Sequence, residues 1–345
     1  MIDAVDRLRQ LAHTPVVVAP MAGGPSTPEL VVATGEAGAL GFLAAGYKTA
    51  EAMEADIEAV RRTTSAAFGV NLFVPGPSTA DPGRLAAYVA TLEVESERLG
   101  AAVGEPAWDD DNWSAKLETL LTNPPAMVSF TFGCPPLDVV DAFHERDTLV
   151  VVTVTRPDEA LEAAAAGADL LCAQGFEAGG HRGSFSNDDR PGQDLGVLAL
   201  IAGVARVTEL PQIAAGGISD ARSIKAVLAA GAVAAQAGTA FLRCPESGAS
   251  AVHKAALADP QFSATAITRA FSGRPVRGLV NRFMVEHREA PAAYPQINNA
   301  TRPLRAAAAA HGDPSAMSLW AGQGYRSASD RPAGEIIEQL ARAIQ

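Results

Sequence analysis

Cysteine is scarce in this chain, and the few cysteines form no recognisable framework. Only Cys134, Cys172 and Cys244 occur among the 345 residues. They are too far apart for a CxxC pair or for the ligand spacing of a zinc site, and their number is odd. We therefore expect neither a disulfide framework nor a bound metal.

The sequence also lacks segments that direct a chain into or across a membrane. Residues 1–7 contain no basic stretch followed by an apolar one, so no signal peptide is predicted. The alanine-rich runs are interrupted by a charge or a glycine well before the ~18 apolar residues that a membrane span needs. These absences predict a cytoplasmic protein with no membrane partner.

Positive charge is in deficit over the whole chain. The 27 lysine and arginine residues are outnumbered by 39 aspartate and glutamate residues, which gives a net charge of −12. Nucleic acids and anionic membranes attract proteins through positive charge, so neither is an expected partner. A small anionic substrate would need positive charge concentrated at its own site.

One unit of strand, turn, helix, Gly-Ala and strand occurs three times. The copies cover residues 16–44, 149–173 and 211–237, and Ser219 is the expected N-cap of the third helix. Apolar strands that alternate with helices predict a parallel sheet with covered faces, and the low aromatic content of 6% fits close helix-on-strand packing. About eight such strands predict an α/β fold, a (β/α)8 TIM barrel. An open doubly wound sheet is the alternative, weakened because no GxGxxG motif opens the first unit.

Two regions interrupt this rhythm. Residues 76–124 begin with Pro-Gly-Pro-Ser and become polar and charged, and from about residue 285 onward the pattern is helical and rich in alanine. We therefore assign residues 1–75 and 125–284 to the barrel. The insertion, residues 76–124, and the C-terminal region, residues 285–345, are expected to pack together as a second, smaller helical domain.

A loop with one histidine and four glycines, residues 174–183, follows a predicted buried strand. Glycine lets the backbone approach a ligand closely, and the imidazole of His181 can exchange a proton near neutral pH. A structural histidine held by backbone groups is the alternative interpretation. Because the active sites of barrels lie at the carboxyl ends of the strands, we expect this loop to line the active site.

Two further glycine loops follow consecutive predicted strands, at residues 216–217 and 236–239. Backbone N–H groups at such turns can bind a phosphate, although tight turns alone would also require glycine. Asn71 and Gln174 lie at the ends of earlier strands. Their amides suit the edge of a heteroaromatic ring, with turn capping as the alternative.

A series of segments carries a resemblance to a known family. The segments are residues 19–24 (APMAGG), 69–73 (GVNLF), 132–135 (FGCP), 174–183 (QGFEAGGHRG), 215–218 (AGGI), 238–242 (GTAFL), 271–278 (FSGRPVRG) and 320–323 (WAGQ). Related flavin barrels share the histidine and phosphate loops, but the full set in this order is specific. On these segments, which span nearly the whole chain, it resembles the nitronate monooxygenases, formerly called 2-nitropropane dioxygenases, and most closely their class I branch.

The resemblance implies an enzyme that binds FMN without a covalent link. With FMN bound, the family oxidises small alkyl nitronates, such as propionate 3-nitronate, with O2 to a carbonyl compound and nitrite. The resemblance makes His181 the catalytic residue, which removes the α-proton of neutral nitroalkanes, and makes Tyr294 a substrate-binding residue. The FMN-binding residues that it implies are Ala19, Pro20, Met21, Asn71, Gln174, Gly179, Gly180, Gly216, Gly217, Gln236, Ala237, Gly238 and Thr239. The assembly is a monomer or a homodimer.

One position departs from the class I pattern. Asn298 stands where a histidine is expected, shortly after Tyr294 and Pro295, and this change bears on substrate preference rather than on flavin binding. The alternative functions are an FMN-dependent NAD(P)H:quinone reductase and an enoyl-acyl carrier protein reductase, which have similar glycine–histidine loops. An IMP dehydrogenase-like barrel fits less well because it needs a nucleophilic cysteine on a flexible loop. An FMN-binding protein without turnover is the alternative from a different class.

Overall fold

The structure of the protein is a computed structural model that describes residues 3–78, 80–188 and 194–342. The predicted domain ranges also include residues 1–2, 79, 189–193 and 343–345, which lie outside the described residues. The strands are β1 (Val16–Val18), β2 (Leu40–Ala44), β3 (Phe68–Phe73), β4 (Met127–Thr131), β5 (Leu149–Val154), β6 (Leu170–Gln174), β7 (Gly180–His181), β8 (Gln212–Ala215), β9 (Ala234–Ala237), β10 (Thr265–Thr268) and β11 (Val276–Leu279).

Helices follow most of the strands. They are α1 (Ala4–Leu11), α2 (Pro28–Glu36), α3 (Ala50–Thr63), α4 (Pro82–Thr91), α5 (Glu93–Leu99), α6 (Trp113–Thr122), α7 (Leu137–His144), α8 (Pro157–Ala165), α9 (Val197–Val204), α10 (Ala221–Ala229), α11 (Ala251–Ala258), α12 (Arg282–Glu286), α13 (Gln296–Ala310) and α14 (Ala333–Ala341). The N-cap of α10 is Asp220, in a capping box with Ser223, so the prediction of Ser219 was wrong by one residue. None of the helices described here combines the length and the apolar character that crossing a membrane requires.

The predicted (β/α)8 barrel is confirmed. Eight parallel strands close in the order β1-β2-β3-β4-β5-β6-β8-β9, and β9 pairs back with β1. Along each strand the side chains alternate between the barrel interior and the surrounding helices. Val151 packs in the interior cluster with Phe42 and Ile213, whereas its neighbours Val150 and Val152 belong to clusters that include the helices.

A second core lies beside the barrel and contains the segment that carries His181. Helices α4, α5 and α11–α13 contribute to it, with the antiparallel hairpin of β10 and β11. Strand β7 pairs with β11, so that His181 lies opposite Val276. This small sheet was not predicted from the sequence. Its consequence is that the histidine loop is held between the barrel and the second core.

The division into two domains at the stated boundaries stays a prediction. Two helices that the sequence analysis gave to the smaller domain pack against barrel helices, namely α6 against α3 and α14 against α2 and α10. Conversely, α11 and the β10–β11 hairpin contribute to the second core, although their residues were assigned to the barrel. Apolar periodicity gives the type of an element but not the surface against which it packs.

Candidate active site

A cavity of about 270 Å³ opens at the carboxyl ends of the barrel strands, and we call it the inner cavity. It brings together His181 and almost all of the residues predicted to bind the flavin. Those that line it are Ala19, Pro20, Met21, Asn71, Gln174, Gly179, Gly180, Gly216, Gly217, Gln236, Gly238 and Thr239. Ala237 is not among the lining residues, because it is buried in β9.

A larger cavity of about 700 Å³, the outer cavity, adjoins the first. The two share the lining residues Tyr47, Phe73, Phe132 and Asn298. Tyr294, the predicted substrate-binding residue, lines the outer cavity. The predicted flavin residues and the predicted substrate residue therefore occupy neighbouring compartments.

The glycine loops after β8 and β9 form a cradle of free backbone donors. Among the described residues, the N–H groups of Gly217, Gly238 and Thr239 have no hydrogen-bond acceptor. Gly217 has a φ of +70°, which favours glycine. The hydroxyl of Thr239 accepts a hydrogen bond from Gly322 N at 3.0 Å and keeps its own proton for a ligand. Such a cluster of donors binds an anion without a charged side chain.

The histidine loop packs backbone to backbone against the segment of residues 320–324. A Cβ atom at Gly179 would lie 2.3 Å from Gly322 N, and Gln323 N donates to Glu177 O at 3.0 Å. Gly324 packs against the loop after β8 instead, where a Cβ atom would lie 2.5 Å from Ser219 Oγ. Sequence reasoning used residues 320–323 for the resemblance but gave Gly322 and Gly324 no role in the site. The close spacing of these two glycines in the sequence is the signal by which they could have been identified.

Asn71 and Gln174, the two amide side chains at the strand ends, have different roles: the first offers an acceptor to a ligand and the second orders the histidine loop. The Asn71 Nδ2 group donates to Ser129 Oγ and Thr131 Oγ1 at 2.9 and 3.0 Å, which leaves its Oδ1 free as an acceptor. Gln174 orders the histidine loop, because it donates to His181 O at 3.1 Å and accepts from Gly183 N at 2.8 Å. Gln174 therefore lines the cavity while most of its hydrogen bonds are made within the protein.

The imidazole of His181 is enclosed by aromatic rings. The ring centroids of Phe132, Tyr294 and Trp320 lie 5.9, 5.7 and 5.8 Å from its own. Its Nε2 lies 2.9 Å from the hydroxyl of buried Ser272. Burial lowers the pKa of His181 to about 3, with a further contribution from two nearby arginines. The imidazole is therefore neutral at physiological pH.

Those two arginines, Arg274 and Arg305, were not found by sequence reasoning. The Arg274 guanidinium lies 3.9 Å from the centroid of the Phe132 ring. Burial lowers the pKa of each arginine to about 10, and each keeps its charge at neutral pH. Neither forms an ion pair with a carboxylate in the part of the chain that the structure describes. No local pattern distinguishes them from surface arginines, because their burial depends on long-range packing.

Tyr47, which the sequence analysis also missed, links the two cavities. Its hydroxyl lies 3.2 Å from that of Tyr294. Its backbone has a φ of +68°, and its N–H donates to Asp111 Oδ1 at 2.8 Å. Asp111 in turn pairs with buried Lys116 at 2.7 Å. The acidic triplet of residues 109–111 thus includes one carboxylate that orders the wall of the site.

Comparison with known proteins identifies the family. The nitronate monooxygenase family matches residues 6–343, and a nitronate monooxygenase of Pseudomonas aeruginosa is 41% identical over the full length of both chains. The crystal structure of a nitroalkane oxidase from Streptomyces ansochromogenes superposes with a TM-score of 0.95 at 49% identity, covering 98% of each chain. FabK from Thermotoga maritima is more distant, with a TM-score of 0.73 at 26% identity, covering 98% of this chain and 95% of that one. The resemblance seen in the sequence is thereby confirmed, and the chain belongs to the nitronate monooxygenase family of flavin-dependent oxidoreductases.

Proposed function

We propose that the protein binds FMN and oxidises alkyl nitronates with O2 to a carbonyl compound and nitrite. The observation that carries the proposal is the charge distribution around His181. A neutral imidazole lies close to two guanidinium groups, of buried Arg274 and half-buried Arg305, that have no counter-ion among the described residues. Such a site stabilises an anion and disfavours a further cation. A nitronate is an anion of suitable size.

The donor cradle fits the phosphate of FMN. The free N–H groups of Gly217, Gly238 and Thr239 would hold the phosphate, and the free Oδ1 of Asn71 would accept a hydrogen bond from the flavin ring. Bound FMN would supply the electron transfer between nitronate and O2. The protein holds both partners and excludes water from the aromatic enclosure of His181.

The tautomer of His181 is part of this proposal. The Ser272 oxygen accepts from Arg274 N at 3.3 Å, and its hydroxyl proton has two acceptors in reach, Arg274 O at 3.2 Å and the imidazole at 2.9 Å. We propose the arrangement in which the hydroxyl donates to Arg274 O, so that Nε2 carries the imidazole proton and donates it to Ser272 Oγ. The lone pair of Nδ1 is then available to accept a proton from a substrate. With a pKa of about 3, His181 holds that proton weakly. We therefore propose that nitronates are better substrates than neutral nitroalkanes.

The experiment that tests the proposal uses the purified FMN-loaded protein. Propionate 3-nitronate is added without oxygen, the flavin spectrum is recorded, and air is then admitted while nitrite is measured. We expect the spectrum to change on addition of the nitronate, and to recover with release of nitrite when oxygen enters. A flavin spectrum that does not change with the nitronate but is bleached by NADH or NADPH would overturn the proposal in favour of a reductase.

A further inference from the structure

Arg305 is a half-buried cation with no anion beside it. It lies on α13, and among the described residues it forms no ion pair. Removing a guanidinium from water without a partner is costly, and the cost falls when an anion binds. An uncompensated charge that lines a cleft marks a candidate ligand site. The position of Arg305 therefore points to an anionic ligand.

The guanidinium of Arg305 uses two of its three nitrogens in hydrogen bonds within the protein, and the third has no partner among the described residues. Nε donates to Thr301 Oγ1 at 3.1 Å, and Nη2 donates to both Asn298 O and Asn298 Oδ1 at 2.9 Å. Within the described chain Nη1 has no acceptor. The guanidinium is thus held in one orientation with an unused pair of N–H donors.

The composition of the inner cavity singles out this arginine. Arg305 is the one lysine or arginine among the described residues that line it, and no aspartate or glutamate lines it. Arg274 and Arg302 line only the outer cavity. The positive charge of Arg305 also contributes to the low pKa of His181, which lines the same cavity.

We propose that Arg305 is the substrate-binding residue for the anionic group of the substrate, with Nη1 donating to an oxygen of that group. Asn298 and Thr301 are its positioning residues. The side-chain amide at position 298 accepts one hydrogen bond from Arg305 without adding charge, whereas a carboxylate there would neutralise the arginine. The departure from the class I pattern at position 298 is therefore part of this arrangement. The assignment rests on the proposed function, because it places the substrate beside FMN, where the inner cavity meets the outer one at Asn298.

The test compares ligands of one shape and different charge on the FMN-loaded protein. Isothermal titration calorimetry measures the affinities of acetate and of its neutral counterpart acetamide, for the wild type, Arg305→Met, Arg305→Lys and the control Arg62→Met. Arg62 is an exposed arginine on α3, paired with Glu58 at 3.9 Å. We expect Arg305→Met to weaken acetate about 10- to 100-fold and to leave acetamide unchanged, since a charge-assisted hydrogen bond is lost.

Arg305→Lys tests the same assignment if the methionine variant does not fold. It keeps the charge but cannot make the three contacts of the guanidinium, so we expect acetate to bind about 3- to 10-fold more weakly. An unchanged affinity for acetate in the arginine variants would overturn the assignment, as would equal weakening of acetate and acetamide, or a wild type that binds no acetate. A protein that binds acetate through Arg305 but releases no nitrite from nitronates would overturn the proposed function alone.

Discussion

Ser272 Oγ lies 2.9 Å from His181 Nε2, although the two residues are 91 positions apart in the chain. The pairing of β7 with β11 brings them together. Ser272 is fully buried and its hydroxyl also contacts the backbone of Arg274. The imidazole is thereby held in one orientation by a group that lines neither cavity.

Replacing Ser272 with alanine tests this positioning role. Without the hydroxyl the imidazole can rotate and exchange tautomers, so the correct form is present for only part of the time. We expect kcat for nitroethane to fall about tenfold while KM changes little, because proton transfer depends on base geometry and initial binding does not. Steady-state nitrite release gives both constants. A change confined to KM would contradict the positioning role.

Removing the base itself separates the two substrate types. In His181→Asn we expect FMN to remain bound and turnover of neutral nitroethane to fall about 100- to 10,000-fold, the range for loss of a general base. Ethyl nitronate is already ionised, so its turnover should fall less, by about tenfold. Nitrite release from the two substrates at equal enzyme concentration measures the ratio. Equal losses on both would exclude a role for His181 in proton removal.

The pH dependence follows from the direction of the histidine shift. Burial and the charges of Arg274 and Arg305 lower the pKa of His181 to about 3, from an ordinary value of 6.5. The imidazole therefore stays neutral throughout the range in which a free histidine titrates. We expect kcat for propionate 3-nitronate to show no inflection between about pH 6 and 8. An acid limb near pH 6.5 that disappears in His181→Asn would contradict this expectation.

Gly217 offers a matched test of the phosphate cradle. A Cβ atom there would lie 3.0 Å from the Cβ of Glu177, and the φ of +70° disfavours any side chain. Gly231 also has a positive φ, +108°, but a Cβ there would meet nothing within 4 Å, and the residue is not among those lining either cavity. Both alanine variants should lose about 1 kcal/mol of stability. Only Gly217→Ala should lower the flavin content, measured as the ratio of flavin to protein absorbance.

The barrel could be predicted from the sequence because its signals are local. Each strand of the repeated units is a continuous apolar run. The glycines of the three Gly-Ala pairs, Gly38, Gly167 and Gly231, all have the positive φ that is common just after a helix. The glycine loops of the site are local signals of the same kind. They follow the strands directly, and the closed barrel then brings their ends to one cavity.

The chemical environment of the site could not be predicted in the same way. Ser272 and Arg305 approach His181 only because the β10–β11 hairpin and α13 pack against the barrel. Tyr47 depends on a left-handed backbone and a bond to Asp111. Each of these contacts joins segments far apart in sequence, and residue type gives no indication of the partner. The sequence also does not show whether an arginine has a counter-ion, because that depends on which carboxylates lie beside it in the folded chain.

The second core contains a buried ion pair whose contribution to stability should depend on pH. The Glu95 side chain is fully buried and accepts two hydrogen bonds from Arg282, at 2.6 and 2.8 Å. Burial opposes ionisation, but the hydrogen bonds and charge of Arg282 outweigh it and hold the pKa of the Glu95 carboxyl below its ordinary value. A depressed carboxyl pKa adds stability above the unfolded pKa, and that contribution is lost as the pH falls through the folded pKa.

Glu95→Gln removes the charge and keeps the shape. At pH 7 we expect the free energy of unfolding to fall by about 1.5 kcal/mol, because Arg282 loses its buried carboxylate but keeps the exposed one of Glu286. The difference from the wild type should shrink as the pH is lowered below about 4, where the wild-type carboxyl also becomes protonated. Urea unfolding at several pH values measures both effects. The control Glu58→Gln breaks an exposed pair with Arg62 and should change the free energy by less than about 0.5 kcal/mol. A pH-independent difference for Glu95→Gln would show that the pair contributes through packing rather than charge.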